Sequence, residues 1–236
     1  MSNPSVPNEP LVAFGPQHAA VYDKQFAKLA PMRDALHFLT GVLLSELPAN
    51  ARILSVGAGT GADLIHLAQQ YPQWHFTAVE PSPAMLDVCR RRTEELGIAS
   101  RCVFHEGYLE TLPPSEPFDA ATSILVSQFI LAPESRTAFF RAIAQRLRPG
   151  GCLISADLAA DLASPSGQRL LDVWLHLMKF ADIPPDKLEQ MRAVYGRDVA
   201  VLPAEQITAM IAAGGFETPT LLLQTGLIHA WLARFA

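Results

Sequence analysis

A glycine-rich loop near residue 57 could hold the nucleoside part of a ligand. Residues 52–56 read as a buried strand and lead directly into the loop, after which a helix is predicted. The loop residues are Gly57, Ala58, Gly59, Thr60 and Gly61. Glycines let the backbone approach a ligand closely, and a helix N-terminus directs unpaired N–H groups toward it. The dinucleotide fingerprint also fits Gly57, Gly59 and Ala62, so the loop alone leaves two cofactor classes open.

Glu80 is the second residue that could do chemistry, because it closes the next predicted strand, 75–80. A carboxylate at this strand end can accept protons from both ribose hydroxyls of an adenosine lying across the sheet. The alternative is an exposed glutamate before the turn at 81–83. Its position at the strand end favours the ribose contact.

No further group of residues predicts acid–base or nucleophilic catalysis. His66, His75 and His105 lie in or beside predicted regular elements, with no nucleophile pattern around them. The cysteines are widely spaced and have no Cys-x-x-Cys or Cys/His grouping, which excludes a disulfide framework and a zinc site. The catalytic residues are therefore left unassigned, and no metal is expected.

Composition predicts one globular domain, since half of the 236 residues are apolar and 17% are charged. The formal charge is −5 and no long Lys/Arg block occurs, so nucleic acid is not an expected partner. No apolar run reaches the length of a membrane span, and the N-terminus lacks a signal-peptide pattern. A cytoplasmic location without membrane contact is the default expectation, and a homodimer is allowed.

The elements that must position the loop and Glu80 follow from the apolar periodicity. Proline-rich residues 1–17 predict a disordered tail, and 18–47 predict two helices. From residue 52 to 157, strands and helices alternate as in a doubly wound parallel sheet. Residues 159–198 break this alternation and predict a helical cap inserted into the single domain 18–236.

The end of the chain distinguishes two α/β folds. Helix 203–213 is followed by strands at about 218–225 and 227–234, which one residue separates, so an antiparallel hairpin is expected. A two-half nicotinamide-binding fold would continue strand–helix units to its end. A Rossmann-like sheet of seven strands, mostly parallel and closed by an antiparallel hairpin, is therefore the predicted fold.

The chain resembles the class I S-adenosylmethionine-dependent methyltransferases over roughly residues 20–236. Segments similar to the family's motifs occur in the family's order, at 56–61, 78–86, 105–113, 118–125 and 147–151. The resemblance implies S-adenosylmethionine as cofactor and in-line methyl transfer to a small-molecule acceptor. Such transfer needs alignment and exclusion of water more than a catalytic dyad.

The resemblance also implies roles for particular residues. Besides the loop and Glu80, cofactor contacts are implied for Pro81, Met85, Gly107, Tyr108, Leu109, Ile124 and Leu125. An acid is usual in the family where Tyr108 stands. Tyr22 and Arg33 are candidates for the methionine end of the cofactor, with packing and surface charge as the alternative.

Acceptor-side candidates lie beyond the fourth strand and in the cap. Gln128 and Phe129 are placed where an acceptor should arrive, although a core role fits Phe129 equally well. Trp174 lies in the apolar part of the cap.

A second resemblance is to carboxy-S-adenosylmethionine synthase, which modifies the cofactor with prephenate. It is carried by 82–85, 89–91, Gln128, Phe129 and the cap segment 170–179. The resemblance implies that Arg192 could hold a carboxylate, and the alternative is a solvated helix residue. Two positions depart from the synthase family. Ser55-Val56 stands where that family has an acid, and Met32 stands where it has a tyrosine in the N-terminal helical region. An ordinary small-molecule methyltransferase is favoured, and a catalytically silent binding protein is a third hypothesis.

Overall fold

A computed structural model of the protein describes Gly15 and residues 27–236. Apart from Gly15, the predicted tail lies outside the described residues, as do Tyr22 and the greater part of the first predicted helix. Within the described residues one sheet contains β1 (Arg52–Val56), β2 (His75–Glu80), β3 (Cys102–Glu106), β4 (Phe118–Ile124), β5 (Leu147–Leu158), β6 (Thr220–Thr225) and β7 (Ile228–Arg234). The strand order is β3-β2-β1-β4-β5-β7-β6.

The strand directions confirm the predicted fold. β1 to β5 are parallel, whereas β7 runs antiparallel to both β5 and β6. β5 begins at Leu147, earlier than the predicted residue 151, because Leu147 pairs with Phe118 across a register shift. A second register shift, between Leu221 and Leu223, interrupts the pairing of β6 with β7.

Seven helices surround the sheet in the described part of the chain. They are α1 (Ala30–Leu44), α2 (Ala62–Gln70), α3 (Pro83–Glu95), α4 (Pro133–Ala144), α5 (Pro165–Phe180), α6 (Pro185–Val194) and α7 (Ala204–Ala213). Prolines stand in the first turn of α1, α3, α4, α5 and α6, where no backbone N–H is needed. Two of these helices are also capped by side chains, with Ser82 Oγ accepting from Met85 N and Ser164 Oγ from Gly167 N.

Both faces of the parallel strands are buried, so consecutive residues enter different cores. Leu54 and Leu153 face the core beneath α4 and α7, whereas Ile53 and Ile154 face the core beneath α2. Helices therefore cover both faces of the sheet, and the candidate site lies at the carboxyl ends of the strands.

The segment predicted as a cap contains α5 and α6. Its apolar side chains, with others from the end of β5, residues 199–201 and the β6–β7 turn, form the cap cluster. The buried members are Leu158, Ala160, Leu171, Trp174, Leu175, Met178, Ile183, Val199, Val201 and Leu227. Trp174 also packs on the β6–β7 turn, where a Cβ at Gly226 would lie 2.8 Å from its ring, and Gly226 has φ of +56°. The hairpin turn thus touches the cap. The division of the chain into tail, domain and cap stays a prediction.

A buried ion pair joins helix α4 to the sheet. Arg136 Nη2 lies 3.2 Å from Asp157 Oδ1, and both side chains are 0% exposed. Arg136 Nε donates to Ser127 Oγ at 2.7 Å, and Ser127 Oγ donates to Asp157 Oδ2 at 2.8 Å. Arg136 Nη1 also donates to the carbonyl of Ala200, beyond the cap. One guanidinium therefore connects α4, the segment after β4, β5 and the return of the cap.

Among the helices of the described residues, none is both long enough and apolar enough to span a bilayer.

Removing one partner of the buried pair should destabilise the fold strongly. For Arg136→Met we expect the free energy of unfolding to fall by about 3–5 kcal/mol, because Asp157 keeps a buried charge without its partner. Arg141→Met, on the exposed face of the same helix, should change it by less than about 0.5 kcal/mol. Urea unfolding followed by circular dichroism measures both. Equal losses in the two variants would contradict the importance of the pair.

Candidate functional site

The glycine loop is held in a conformation that side chains disfavour. Gly57, Gly59 and Gly61 have φ of +67°, +54° and +80°. The N–H groups of Gly57 and Ala58 both donate to the carbonyl of Val79, at 2.8 and 3.0 Å, which ties the loop to the end of β2. The loop therefore has a fixed shape at the carboxyl ends of two neighbouring strands.

Close packing from two other elements makes two of these glycines necessary. A Cβ at Gly57 would lie 2.4 Å from Val126 Cγ2, and one at Gly61 would lie 2.5 Å from Cys89 Sγ. Val126 belongs to the segment after β4, and Cys89 belongs to α3. The loop is therefore closely packed between the segment after β4 and helix α3.

The Glu80 carboxylate is oriented over this loop by two backbone N–H groups. Glu80 Oε2 accepts from Gly59 N and Oε1 accepts from Ser82 N, each at 2.9 Å, and the residue is 7% exposed. Burial raises the pKa of Glu80, and the two backbone N–H groups partly oppose this. A carboxylate oxygen has more than one lone pair, so each can still accept a ribose hydroxyl.

Two polar side chains that sequence analysis missed fix the ends of the loop. Asp63 Oδ2 accepts from Ser55 Oγ at 3.1 Å and from Thr122 Oγ1 at 2.6 Å, which anchors the start of α2 to β1 and β4. Arg92 Nη1 donates to the carbonyl and hydroxyl oxygens of Thr60 at 3.0 and 3.3 Å. An acid in the first helical turn was a usable signal for Asp63, whereas the Arg92 contact spans 32 positions.

The segment that begins at Gly107, for which the resemblance implies cofactor contacts, lies next to Glu80. Gly107 N donates to the carbonyl of Glu80 at 3.1 Å, and Gly107 has φ of +151°. Leu109 and Met85 are buried, while Pro81 is exposed and Tyr108 is 39% exposed. Gly107 therefore lies beside Glu80 at the carboxyl edge of the sheet, and the Tyr108 ring lies at the surface.

Ile124 and Leu125, for which the resemblance implies cofactor contacts, lie where β4 stops. Leu125 has φ of +60°, a conformation rare for a branched side chain, and its N–H donates to the carbonyl of Ala156 at 2.6 Å. Leu125 and Phe129 pack against the cap cluster, as does Met32 of α1, and Trp174 belongs to that cluster. Ile124 packs on the sheet core beside α2. Several candidates from distant parts of the sequence thus share one region.

Two arginine candidates have acidic partners at the surface. Arg33 pairs with Asp34 at 2.9 Å, and Arg192 pairs with Asp172 of α5. Both arginine side chains are more than 40% exposed. The structure does not bring them to the glycine loop, and their roles in binding cofactor or acceptor stay predictions, as does that of Tyr22.

Three histidines lie in structural contacts. His66 lies beside His37 where α2 meets α1, with ring centroids 5.2 Å apart, and burial lowers the pKa of His37. His229 Nδ1 lies 3.0 Å from the carbonyl of Leu227. Over Gly15 and residues 27–236, no cluster of His, Cys, Asp and Glu is arranged to hold a metal ion.

Comparison with known proteins places the glycine loop and Glu80 in a recognised domain. Residues 53–151 match the family profile of a methyltransferase domain. The chain is 29% identical over 177 residues to the biotin biosynthesis bifunctional protein BioHC of Teredinibacter turnerae, covering 72% of this chain and 28% of that protein. It is 28% identical over 152 residues to the carboxy-S-adenosyl-L-methionine synthase of Campylobacter lari, covering 64% and 63%.

The fold is also similar to solved structures. A putative O-methyltransferase from Nostoc punctiforme superposes with a TM-score of 0.67 at 18% identity, covering 92% of this chain and 59% of that one. At this identity the similarity concerns the fold alone. The chain spans less than two thirds of the length of each of these relatives.

A methyl group at Gly57 should weaken cofactor binding. For Gly57→Ala we expect the affinity for S-adenosylhomocysteine to fall at least about tenfold, because the added Cβ displaces Val126 and the loop. Gly97→Ala is the matched control, since Gly97 has φ of +70° and a Cβ added there would have no atom within 4 Å. Isothermal titration calorimetry measures both. A Gly97→Ala effect as large as that of Gly57→Ala would contradict a local role for the loop.

Binding should also depend on the protonation of Glu80. Its pKa is raised in the free protein, and a ribose needs the carboxylate form, so acidification should weaken binding already above the ordinary glutamate pKa range. Glu80→Gln should bind more weakly near neutral pH and lose this pH dependence. Calorimetry across a pH series tests this. An unchanged pH dependence in the variant would assign the effect to another group.

Proposed function

Since this chain belongs to the class I S-adenosylmethionine-dependent methyltransferase family, we propose that it transfers the methyl group of S-adenosylmethionine to a small-molecule acceptor. The observation that carries the proposal is the Glu80 carboxylate, held over the glycine loop by Gly59 N and Ser82 N. Because the carboxylate is buried and oriented by two N–H groups, its remaining lone pairs are better placed to accept from two ribose hydroxyls than from bulk water.

The residues present fit this cofactor. A Cβ at Gly57 or Gly61 would collide with Val126 or Cys89, so the loop forms a cradle that only glycine allows. When bound, S-adenosylmethionine supplies a methyl group activated by its sulfonium sulfur, and the sulfur becomes a neutral thioether once the S–CH₃ bond breaks. The transfer is then a displacement that needs no proton on the leaving group.

The chain's own contribution is to orient the reactants and exclude water. Glu80 fixes the ribose, and the glycine loop fixes the adjoining part of the cofactor. Leu125 and Phe129 form apolar walls at the end of β4, and the cap cluster covers them.

The relatives bear on the acceptor without identifying it. Other relatives carry the names erythromycin 3''-O-methyltransferase and trans-aconitate 2-methyltransferase, at 34% and 30% identity over 116 and 126 residues. These names describe small molecules of different chemistry, which supports the general class. The synthase relative motivates prephenate as a separate substrate to test.

Trideuteromethyl-labelled S-adenosylmethionine should distinguish these reactions. We expect mass spectrometry to show labelled methyl transferred to a compound from a metabolite panel, with Glu80→Ala reducing the rate at least about tenfold. With prephenate as the sole added substrate, the nucleoside should stay unmodified.

Two outcomes would overturn the proposal. Carboxylated cofactor formed from prephenate would assign the synthase reaction. Binding of S-adenosylhomocysteine without methyl transfer to any member of the panel would favour a catalytically silent binding protein.

A further inference from the structure

Gln128 lies in the short helical turn Ser127–Phe129, directly after β4, where the acceptor is expected. It is 5% exposed, so its carboxamide is buried together with the ends of β4 and β5. A buried amide requires hydrogen-bond partners for both its oxygen and its nitrogen.

Three hydrogen bonds fix Gln128 in place. Its backbone N–H donates to Asp157 Oδ1 at 2.9 Å, and its backbone carbonyl accepts from Ala200 N at 2.7 Å. Its side-chain Oε1 accepts from Leu158 N at 2.8 Å. Because Leu158 N is a donor, the side-chain atom facing it must be the oxygen, which determines the orientation of the amide.

The remaining group is the Nε2 amide of Gln128. Within the described residues it makes no hydrogen bond. It is not among the fully enclosed polar atoms that lack a partner, such as Ser123 Oγ and Ser155 Oγ, so it reaches accessible space. Two N–H donors are therefore held rigidly at the edge of a buried region without a protein acceptor.

The position of this amide coincides with the expected acceptor side. The last residue pair between β4 and β5 is Ile124 with Ala156, and Gln128 Oε1 takes up the next free N–H of β5, at Leu158. β4 lies between β1 and β5, and ligands of such sheets bind beyond the carboxyl ends where the strand order reverses. Phe129, the next residue, packs against the cap cluster.

We propose that Gln128 selects the acceptor by donating a hydrogen bond from Nε2 to a carbonyl or carboxylate oxygen. The acceptor class is then a small molecule with such an oxygen on an apolar skeleton, since Leu125 and Phe129 supply the neighbouring surface. A group that only donates, such as an ammonium, leaves Nε2 without a partner and is selected against. This inference rests on the proposed function.

The charges near Gln128 are compatible with this selection. Asp157, which holds the Gln128 backbone, is itself paired with Arg136, so the pair has no net charge. Selection by Gln128 therefore depends on donor and acceptor geometry more than on ligand charge.

The test uses three probes of equal chain length on the full chain saturated with S-adenosylhomocysteine. These are octanoate, 2-octanone and octylammonium. In ¹⁵N-labelled protein, octanoate or 2-octanone should shift the Gln128 side-chain amide resonances, which are assigned by their absence in Gln128→Glu. Octylammonium should bind at least about tenfold more weakly than the better oxygen probe.

Gln128→Glu keeps an oxygen for Leu158 N and replaces the NH₂ group, so it should weaken the oxygen probes at least about tenfold with unchanged S-adenosylhomocysteine affinity. The inference is overturned if neither oxygen probe shifts the Gln128 resonances, or if octylammonium binds equally well. The titration of the unmodified protein decides this even if the variant fails to fold. Loss of S-adenosylhomocysteine binding by the unmodified protein would instead defeat the proposed function.

Discussion

The Arg136 guanidinium and the Asp157 carboxylate lie 3.2 Å apart in a part of the molecule that water does not reach. Each charge is tolerated there because the other is present, because Ser127 and Ala200 accept from Arg136 Nε and Nη1, and because Ser127 and Gln128 donate to Asp157. The pair therefore requires α4, β5, the segment after β4 and the return of the cap to assemble together. It imposes a single arrangement on the elements that surround the acceptor side of the site.

The cofactor side depends on backbone geometry instead. The glycine loop follows β1, Glu80 ends the neighbouring strand β2, and the bond from Gly59 N to the Glu80 carboxylate connects them. The two halves meet at Gly57, where Val126 leaves no room for a Cβ. The packing of the segment after β4 therefore requires glycine at this position of the loop.

The fold and the cofactor side were predictable because their signals are local. Short apolar strands, a glycine loop and a glutamate at a strand end follow one another in the sequence, and the motif order adds independent support. The Arg136–Asp157 pair joins residues far apart in the chain, and periodicity carries no information on such contacts. Leu125 was named from the motif, but its positive φ was not predictable, since nothing local requires a leucine to adopt that conformation.

The register shift in β6 affects how the molecule behaves toward its own copies. β6 forms one edge of the sheet, and Leu221 on that edge is 49% exposed. A regular edge strand with apolar side chains is a template on which another chain can add a strand, the first step of aggregation. The shift between Leu221 and Leu223 bends the strand and breaks the regular spacing of its free N–H and carbonyl groups. The irregularity therefore makes this edge of the described sheet a poorer template for the addition of a strand.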